Sequence, residues 1–165
     1  MSAIVKNMDL SARGLWFPIT LTLSLLVLVL FMKKKQLTWR EIYLTYGSIG
    51  FLTWVIDTLT GNILDLYDVG HAGITGIGDF LSFSFVPSSL AVIFLNFRTE
   101  KNKGFMILLF TAISMIIYWG VRASGYFKDK GWNIFLALAV FIIAYWLIIP
   151  LHLRLMRNND RHMRK

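Results

Sequence analysis

The sequence predicts an all-α fold: a polytopic membrane protein built as a bundle of five transmembrane helices. Three observations support this prediction. Apolar residues make up 56% of the 165-residue chain and charged residues only 16%, whereas about a quarter of an ordinary soluble domain is charged. Five apolar segments approach the roughly 20 residues that a helix needs to cross the hydrocarbon core of a bilayer. Lysine and arginine are concentrated in alternate connections between these segments. The length allows a single transmembrane domain and no separate soluble one.

The apolar segments, in chain order, are the predicted spans at residues 15–32, 39–59, 80–97, 105–121 and 132–153. Thr38, followed by Glu41 three residues later, has the pattern of a capping box and should start the second span. Pro87 interrupts the third span and predicts a kink there. All five segments should be helical, because unpaired backbone groups cost several kcal/mol in lipid and no alternating pattern of a barrel is present.

The distribution of basic residues predicts the orientation of the chain. Of its 17 Lys and Arg residues, twelve lie in the 33–40 and 98–103 connections and in the tail at residues 154–165. The other side holds five, including Lys6. Because the richer side faces the cytoplasm, the N-terminus is expected outside and the basic tail inside. Basic residues beside apolar runs encode orientation and attract anionic lipid, so nucleic acid is not expected as a partner.

The predicted outer loop, residues 58–79, interrupts the apolar pattern with acidic residues and glycines. Asp57 lies just before it, at the outer end of the second span. An ionisable residue at membrane depth is a candidate functional group, because an uncompensated charge is costly there. The alternative is that Asp57 is hydrated at the interface or pairs with a basic residue such as Arg122 or Arg13.

Further candidates for an outer-face site lie within this loop. Asp65, Asp68 and His71 are spaced three residues apart, and with Asp79 they could bind a divalent cation. The spacing matches no metal motif, so a simply solvated loop is the alternative, and no cofactor or metal is predicted. The glycines of residues 70–78 do not match a dinucleotide-binding fingerprint either. They are more typical of a re-entrant or interfacial segment that packs closely against helices.

Small and hydroxylated residues are concentrated in the second and third spans. Such residues let helix backbones approach closely, and their hydroxyl groups can form hydrogen bonds across the contact. We therefore predict helix packing, within the chain or with a partner, through Gly47, Ser48, Gly50, Ser84, Pro87 and Ser88.

The run from LDLYDVG through the glycine-rich bridge to GDFLSFSFVPSSLAVIFLNF resembles a small family of uncharacterised integral membrane proteins of endospore-forming bacteria. The matching positions are Asp65, Asp68, Asp79, Pro87, Asn96 and Phe97. The resemblance covers about forty residues, and beyond them only the number of spans. It implies five spans and a bacterial cytoplasmic membrane, in a sporulating or germinating cell, and no activity.

No catalytic constellation is recognisable, and the absence of cysteine excludes a thiol nucleophile and thiolate metal sites. The leading hypothesis is a non-enzymatic multi-pass membrane protein that packs against partners or against itself. One alternative is an oligomeric carrier or channel component in which Asp57 and residues 65–79 meet a cation. Another is an enzyme acting on a lipid or peptide at the outer face through the same carboxylates.

Overall fold

The computed structural model describes residues 7–162, with side chains through Asn158. Five helices and two short antiparallel strands make up this part of the chain. In order they are α1 (Trp16–Phe31), α2 (Trp39–Asp57), β1 (Tyr67–Val69), α3 (Ile77–Phe97), α4 (Lys103–Ser124), β2 (Phe127–Asp129) and α5 (134–162). Four basic residues of the charge count lie outside the described side chains: Lys6, Arg161, Arg164 and Lys165.

The described part is mostly helical, which confirms the all-α prediction. Three helices are long and apolar enough to cross a membrane, and they are α3, α4 and α5. The first helix, α1, is apolar but only 16 residues long. The second, α2, carries Arg40, Glu41 and Asp57 within its 19 residues. Composition and length therefore support three spans, and the count of five stays a prediction.

Two of the helices widen into a π-turn directly before a proline. Pro87 cannot donate a backbone hydrogen bond, and its ring crowds the preceding turn. The amide of Val86 accordingly bonds to the carbonyl of Leu81, five residues back, and residues 81–85 form a π-turn in α3. Residues 144–148 of α5 also form a π-turn, before Pro150, and there the amide of Ile149 donates to the carbonyl of Ala144. A local change of helix type thus occurs where the sequence predicts a kink in α3.

Helix α3 lies at the centre of the bundle. Its residues from Leu90 to Asn96 are all buried, and the core around them includes residues from every helix. Phe94 packs with Phe110 of α4 and Tyr145 of α5, with the three ring centroids 5.1–5.6 Å apart. A helix buried on all sides must be apolar or internally bonded all round. This explains why, apart from Asp79 in its first turn, the polar side chains of α3 are serines and one asparagine.

Asn96 fixes the connection between α1 and α2, at the end of the bundle that carries Lys33–Lys35. Its side chain is fully buried. Its Oδ1 accepts hydrogen bonds from the amides of Lys35 (2.8 Å) and Gln36 (3.2 Å), and its Nδ2 donates to the carbonyl of Lys33 (2.9 Å). One side chain therefore satisfies three backbone groups of a tight connection.

Three differences from the predicted elements concern the two ends of the bundle. Helix α3 begins at Ile77, three residues early, because the Asp79 carboxylate caps the amide of Gly76. Helix α5 continues to residue 162, so the predicted tail at residues 154–165 is helical in its described part. Arg157 holds this extension against the 36–41 segment, with hydrogen bonds to Glu41 (2.7 Å) and to the Gln36 carbonyl (2.6 Å). The third difference is the pair of strands, which the sequence does not predict.

The predicted capping box of Thr38 and Glu41 is confirmed.

Candidate binding site at the acidic end

Residues 57–79 and 125–133 together form one end of the bundle, the acidic end. The strands β1 and β2 join these two segments, with Tyr67 opposite Asp129 and Val69 opposite Phe127. The carbonyl of Leu66 extends the junction by accepting from the amides of residues 130, 131 and 132, each at 2.9 Å. The two loops therefore form one hydrogen-bonded cap over the helices.

Asp57 is buried at the end of α2, with 8% of its surface exposed. The Tyr67 hydroxyl donates to its Oδ1 at 2.9 Å and also lies 2.9 Å from the hydroxyl of Thr60. Burial and the Asp57 carboxylate hold the pKa of Tyr67 above its usual range, so this hydroxyl stays a donor. Arg122, one of the basic residues considered as a partner for Asp57, instead forms an ion pair with Asp129.

Asp79 is equally buried, with 7% of its surface exposed, in the first turn of α3. The hydroxyl of Tyr126 donates to its Oδ1 at 2.8 Å, and the amide of Gly76 donates to its Oδ2 at 3.1 Å. Tyr126 is fully buried, and burial together with Asp79 raises the pKa of the tyrosine. Gly78 makes this approach possible, because a Cβ there would overlap the Tyr126 hydroxyl. One glycine of the predicted close-packing bridge therefore has a specific contact.

His71 is bound to Asp9, a residue for which the sequence offers no pattern. Asp9 is buried, adopts a left-handed backbone conformation (φ 54°), and places Oδ1 2.6 Å from the Nδ1 of His71. Its Oδ2 accepts from the amide of His71 at 3.0 Å. Gly70, also left-handed (φ 60°), leaves room for this carboxylate, since a Cβ at Gly70 would lie 2.5 Å from Asp9 Oδ2.

Lys130 binds the two remaining candidates, Asp65 at 2.6 Å and Asp68 at 3.0 Å. The lysine ammonium donates hydrogen bonds to both carboxylates, and these bonds raise the pKa of Lys130. Asp65 is two-thirds exposed, so this pair is a surface interaction of small energetic value.

The predicted cation ligands therefore do not converge. Asp65 and Asp68 share Lys130, His71 binds Asp9, and Asp79 binds Tyr126. Within the part of the chain that the structure describes, no group of three or more His, Asp or Glu residues could hold a metal ion.

Two cavities meet at the acidic end. The first, the acidic pocket, has a volume of about 480 Å³, and its wall includes the carboxylates of Asp57, Asp65, Asp68 and Asp79 together with Lys130. The second, the apolar cavity, has a volume of about 280 Å³ and lies among all five helices. Val69 and Phe83 line both cavities, so the acidic pocket lies directly against the apolar one.

Four of the five residues predicted for an outer-face site line the acidic pocket, and His71 does not. Tyr67, Tyr126, Lys130 and Asp9 also bind these residues, and the sequence pattern does not indicate them. Tyr126 lies 47 residues from Asp79, and Asp9 lies 62 residues from His71. No local spacing marks such contacts. The only sequence signal is the glycine-rich bridge itself, whose missing side chains indicate that other groups approach its backbone.

Comparison with known proteins identifies no relative, since no family model, no curated protein and no solved structure matches the chain.

Proposed function

We propose that this is a non-enzymatic integral protein of the cytoplasmic membrane whose acidic pocket binds a cationic group of a ligand at the outer face. The proposal rests mainly on the burial and the hydrogen bonds of the Asp57 and Asp79 carboxylates. Both carboxylates are more than nine-tenths buried, both line the acidic pocket, and both are hydrogen bonded by tyrosine hydroxyls. Within residues 7–158, no lysine or arginine forms an ion pair with either of them.

Electrostatics favours a cationic occupant over a neutral or anionic one. Removing a carboxylate from water is costly unless it is paired, and hydrogen bonds from neutral hydroxyls compensate for only part of that cost. A cation that enters the pocket would supply the missing charge. The nearby Lys130 is already engaged by Asp65 and Asp68, so it offers little compensation to the buried pair.

The membrane location is proposed with five spans, the N-terminus outside and the acidic end facing outward. Its support is the excess of basic residues at the opposite end and the three helices long and apolar enough to cross a bilayer. The resemblance to membrane proteins of endospore-forming bacteria, and the cell type that it implies, stay predictions.

Binding of tetramethylammonium to the protein in lipid nanodiscs tests the proposed function. Saturation-transfer NMR should show saturable binding to the wild type above that of empty nanodiscs. Asp57→Asn and Asp79→Asn should each weaken binding at least about tenfold, whereas Glu100→Gln, an exposed carboxylate at the opposite end, should not change it. The absence of saturable binding to a folded wild type would overturn the proposal. Flux of the cation across proteoliposomes that depends on Asp57 would extend binding to the carrier alternative.

Self-association or partner binding through α2 is a second candidate function, and the exposed face of this helix favours it. Gly47 and Ser48 lie on that face, beside Tyr43 and Phe51, whose exposed fractions are 78% and 72%. A Cβ at Gly47 would meet nothing within 4 Å, so a second helix could approach closely here. Gly50, by contrast, packs inside the chain against Ser84 and Ser88.

Gly47→Leu should therefore reduce cross-linking between copies or to a partner without reducing membrane insertion. Gly104→Leu is the matched control, because Gly104 also has nothing within 4 Å but lies at the start of α4. Equal cross-linking yields for both variants and the wild type would count against association through α2. The enzyme alternative lacks comparable support, since Lys130 holds its carboxylates Asp65 and Asp68 in ion pairs.

A further inference from the structure

We propose that the two adjoining cavities hold a single molecule, an amphiphile with an ammonium headgroup in the acidic pocket and a hydrocarbon chain in the apolar cavity. This inference rests on the proposed cation binding and adds the class of ligand. It follows from the chemistry of the apolar cavity, from the wall that the cavities share, and from the charge of the acidic pocket.

The apolar cavity has the chemistry that a hydrocarbon chain requires. Leu21, Leu52, Val86, Ile117 and Phe141 line it from five different helices. Its most deeply buried hydroxyls, on Ser114 and Tyr145, lie 2.9 Å apart and satisfy each other. An apolar lining of this kind does not favour water, so a hydrocarbon chain is the occupant that it fits.

The cavity lies between the π-turns of α3 and α5, two of the three π-turns among the described residues; the third, Thr58–Ile63, follows α2. Ser82 and Phe83 belong to the π-turn of α3, and Ala144, Tyr145 and Ile148 belong to that of α5; all of them line the cavity. A π-turn displaces side chains from regular helical positions and commonly occurs at functional sites. Two π-turns that precede prolines in different helices thus line the same cavity.

The shared wall places the two cavities side by side. Phe83 and Val69 line both, and no other residue does so among those described. The ring of Phe83 packs edge-on against Trp54, with centroids 5.8 Å apart, and the Trp54 indole donates to Ser84 at 2.7 Å. In the proposed complex the ligand chain would pass Phe83 to go from the polar cap into the apolar cavity.

The acidic pocket selects the headgroup. Four carboxylates line it against a single lysine, so a phosphate or sulfate headgroup would meet like charge. An ammonium group would lie among opposite charges, and the aromatic rings at this end of the bundle, including Tyr67 and Phe83, are also compatible with a cation. The expected ligand is thus a long-chain amine or quaternary ammonium compound, and anionic lipids are excluded.

The test compares dodecyltrimethylammonium with tetramethylammonium, which carries the same headgroup without the chain. Both are titrated against the intact protein in nanodiscs, and partition into empty nanodiscs is subtracted. Ala144→Phe places a ring in the apolar cavity and should weaken binding of the long-chain probe at least about tenfold, with tetramethylammonium unaffected. Val140→Phe, another cavity-lining position, should act in the same way if Ala144→Phe fails to fold.

Ala139→Phe is the matched control, because Ala139 is on the same helix but is exposed on the bundle surface and does not line the cavity. It should bind both probes as the wild type does. Dodecyl maltoside, with the same chain and no charge, should not displace the cationic amphiphile.

Unchanged long-chain binding in both cavity variants, or equal displacement by the maltoside, would overturn the inference. In either case, intact tetramethylammonium binding would leave the proposed function standing. If the wild type does not bind tetramethylammonium, both the proposed function and the inference are overturned.

Discussion

At the scale of single residues, the acidic end is organised by two buried carboxylates, each bonded by a tyrosine. Asp57 accepts from Tyr67, and Asp79 accepts from Tyr126. A buried acceptor of this kind needs a donor, because an unsatisfied polar group costs about 1–3 kcal/mol. The tyrosines supply a donor without a charge. Both carboxylates are thus hydrogen bonded by neutral donors, which leaves room for a cation in the proposed function.

Gly78 offers a direct test of this arrangement, because the hydroxyl of Tyr126 occupies the space that a side chain would need. We expect Gly78→Ala to destabilise the protein by about 1–3 kcal/mol through overpacking, as measured by denaturation in mixed micelles followed by circular dichroism. Gly47→Ala changes the same residue type in a helix where a Cβ meets nothing within 4 Å. It should leave stability unchanged or slightly improved. Similar effects of the two changes would contradict the close contact between Gly78 and Tyr126.

At the scale of elements, short connections are held by buried side chains rather than by their own sequence. Asn96, at the end of α3, satisfies three backbone groups of the connection between α1 and α2. Prolines change the helix type in α3 and α5 where the apolar cavity lies. A side chain distant in sequence therefore holds the basic connection, whereas the change of helix type beside the cavity depends on prolines within the same helices.

The role of Asn96 predicts a large effect from its removal. Asn96→Ala should leave three backbone groups of residues 33–36 without their partner, and we expect a loss of about 1–3 kcal/mol in the free energy of unfolding. Asn62→Ala, at an exposed position of the acidic end, should change the free energy of unfolding by less than about 0.5 kcal/mol. The measurement is the same mixed-micelle denaturation. An Asn96→Ala variant as stable as the wild type would show that the connection holds without this side chain.

At the scale of the whole molecule, the two ends of the bundle differ in charge. Acidic side chains and the hydrogen-bonded cap of β1 and β2 lie at one end, and Lys33–Lys35 with Arg98 and Lys103 lie at the other. This asymmetry supports the proposed orientation, because basic residues are retained on the cytoplasmic side.

The natural chain has no cysteine, so single cysteines report the orientation without background. Thr75→Cys places an exposed thiol at the acidic end, and Thr99→Cys places one at the basic end. A membrane-impermeant maleimide should label the first variant in intact cells and the second only after permeabilisation. The reverse pattern would place the acidic pocket in the cytoplasm and would contradict the outer-face location of the site.

The sequence by itself determined the helical class, the approximate positions of the five helices and the difference in charge between the two ends. These properties depend on local composition, which each segment carries without its neighbours. It also marked Asp57, Asp65, Asp68 and Asp79, because carboxylates stand out in an apolar chain.

Only the tertiary structure decided which of these groups face the acidic pocket, that His71 belongs to Asp9, and that Tyr126 reaches Asp79 across 47 residues. It also placed the apolar cavity against that pocket. Such contacts depend on how five helices pack and where two prolines widen them, and packing is a non-local property that no single stretch of sequence encodes.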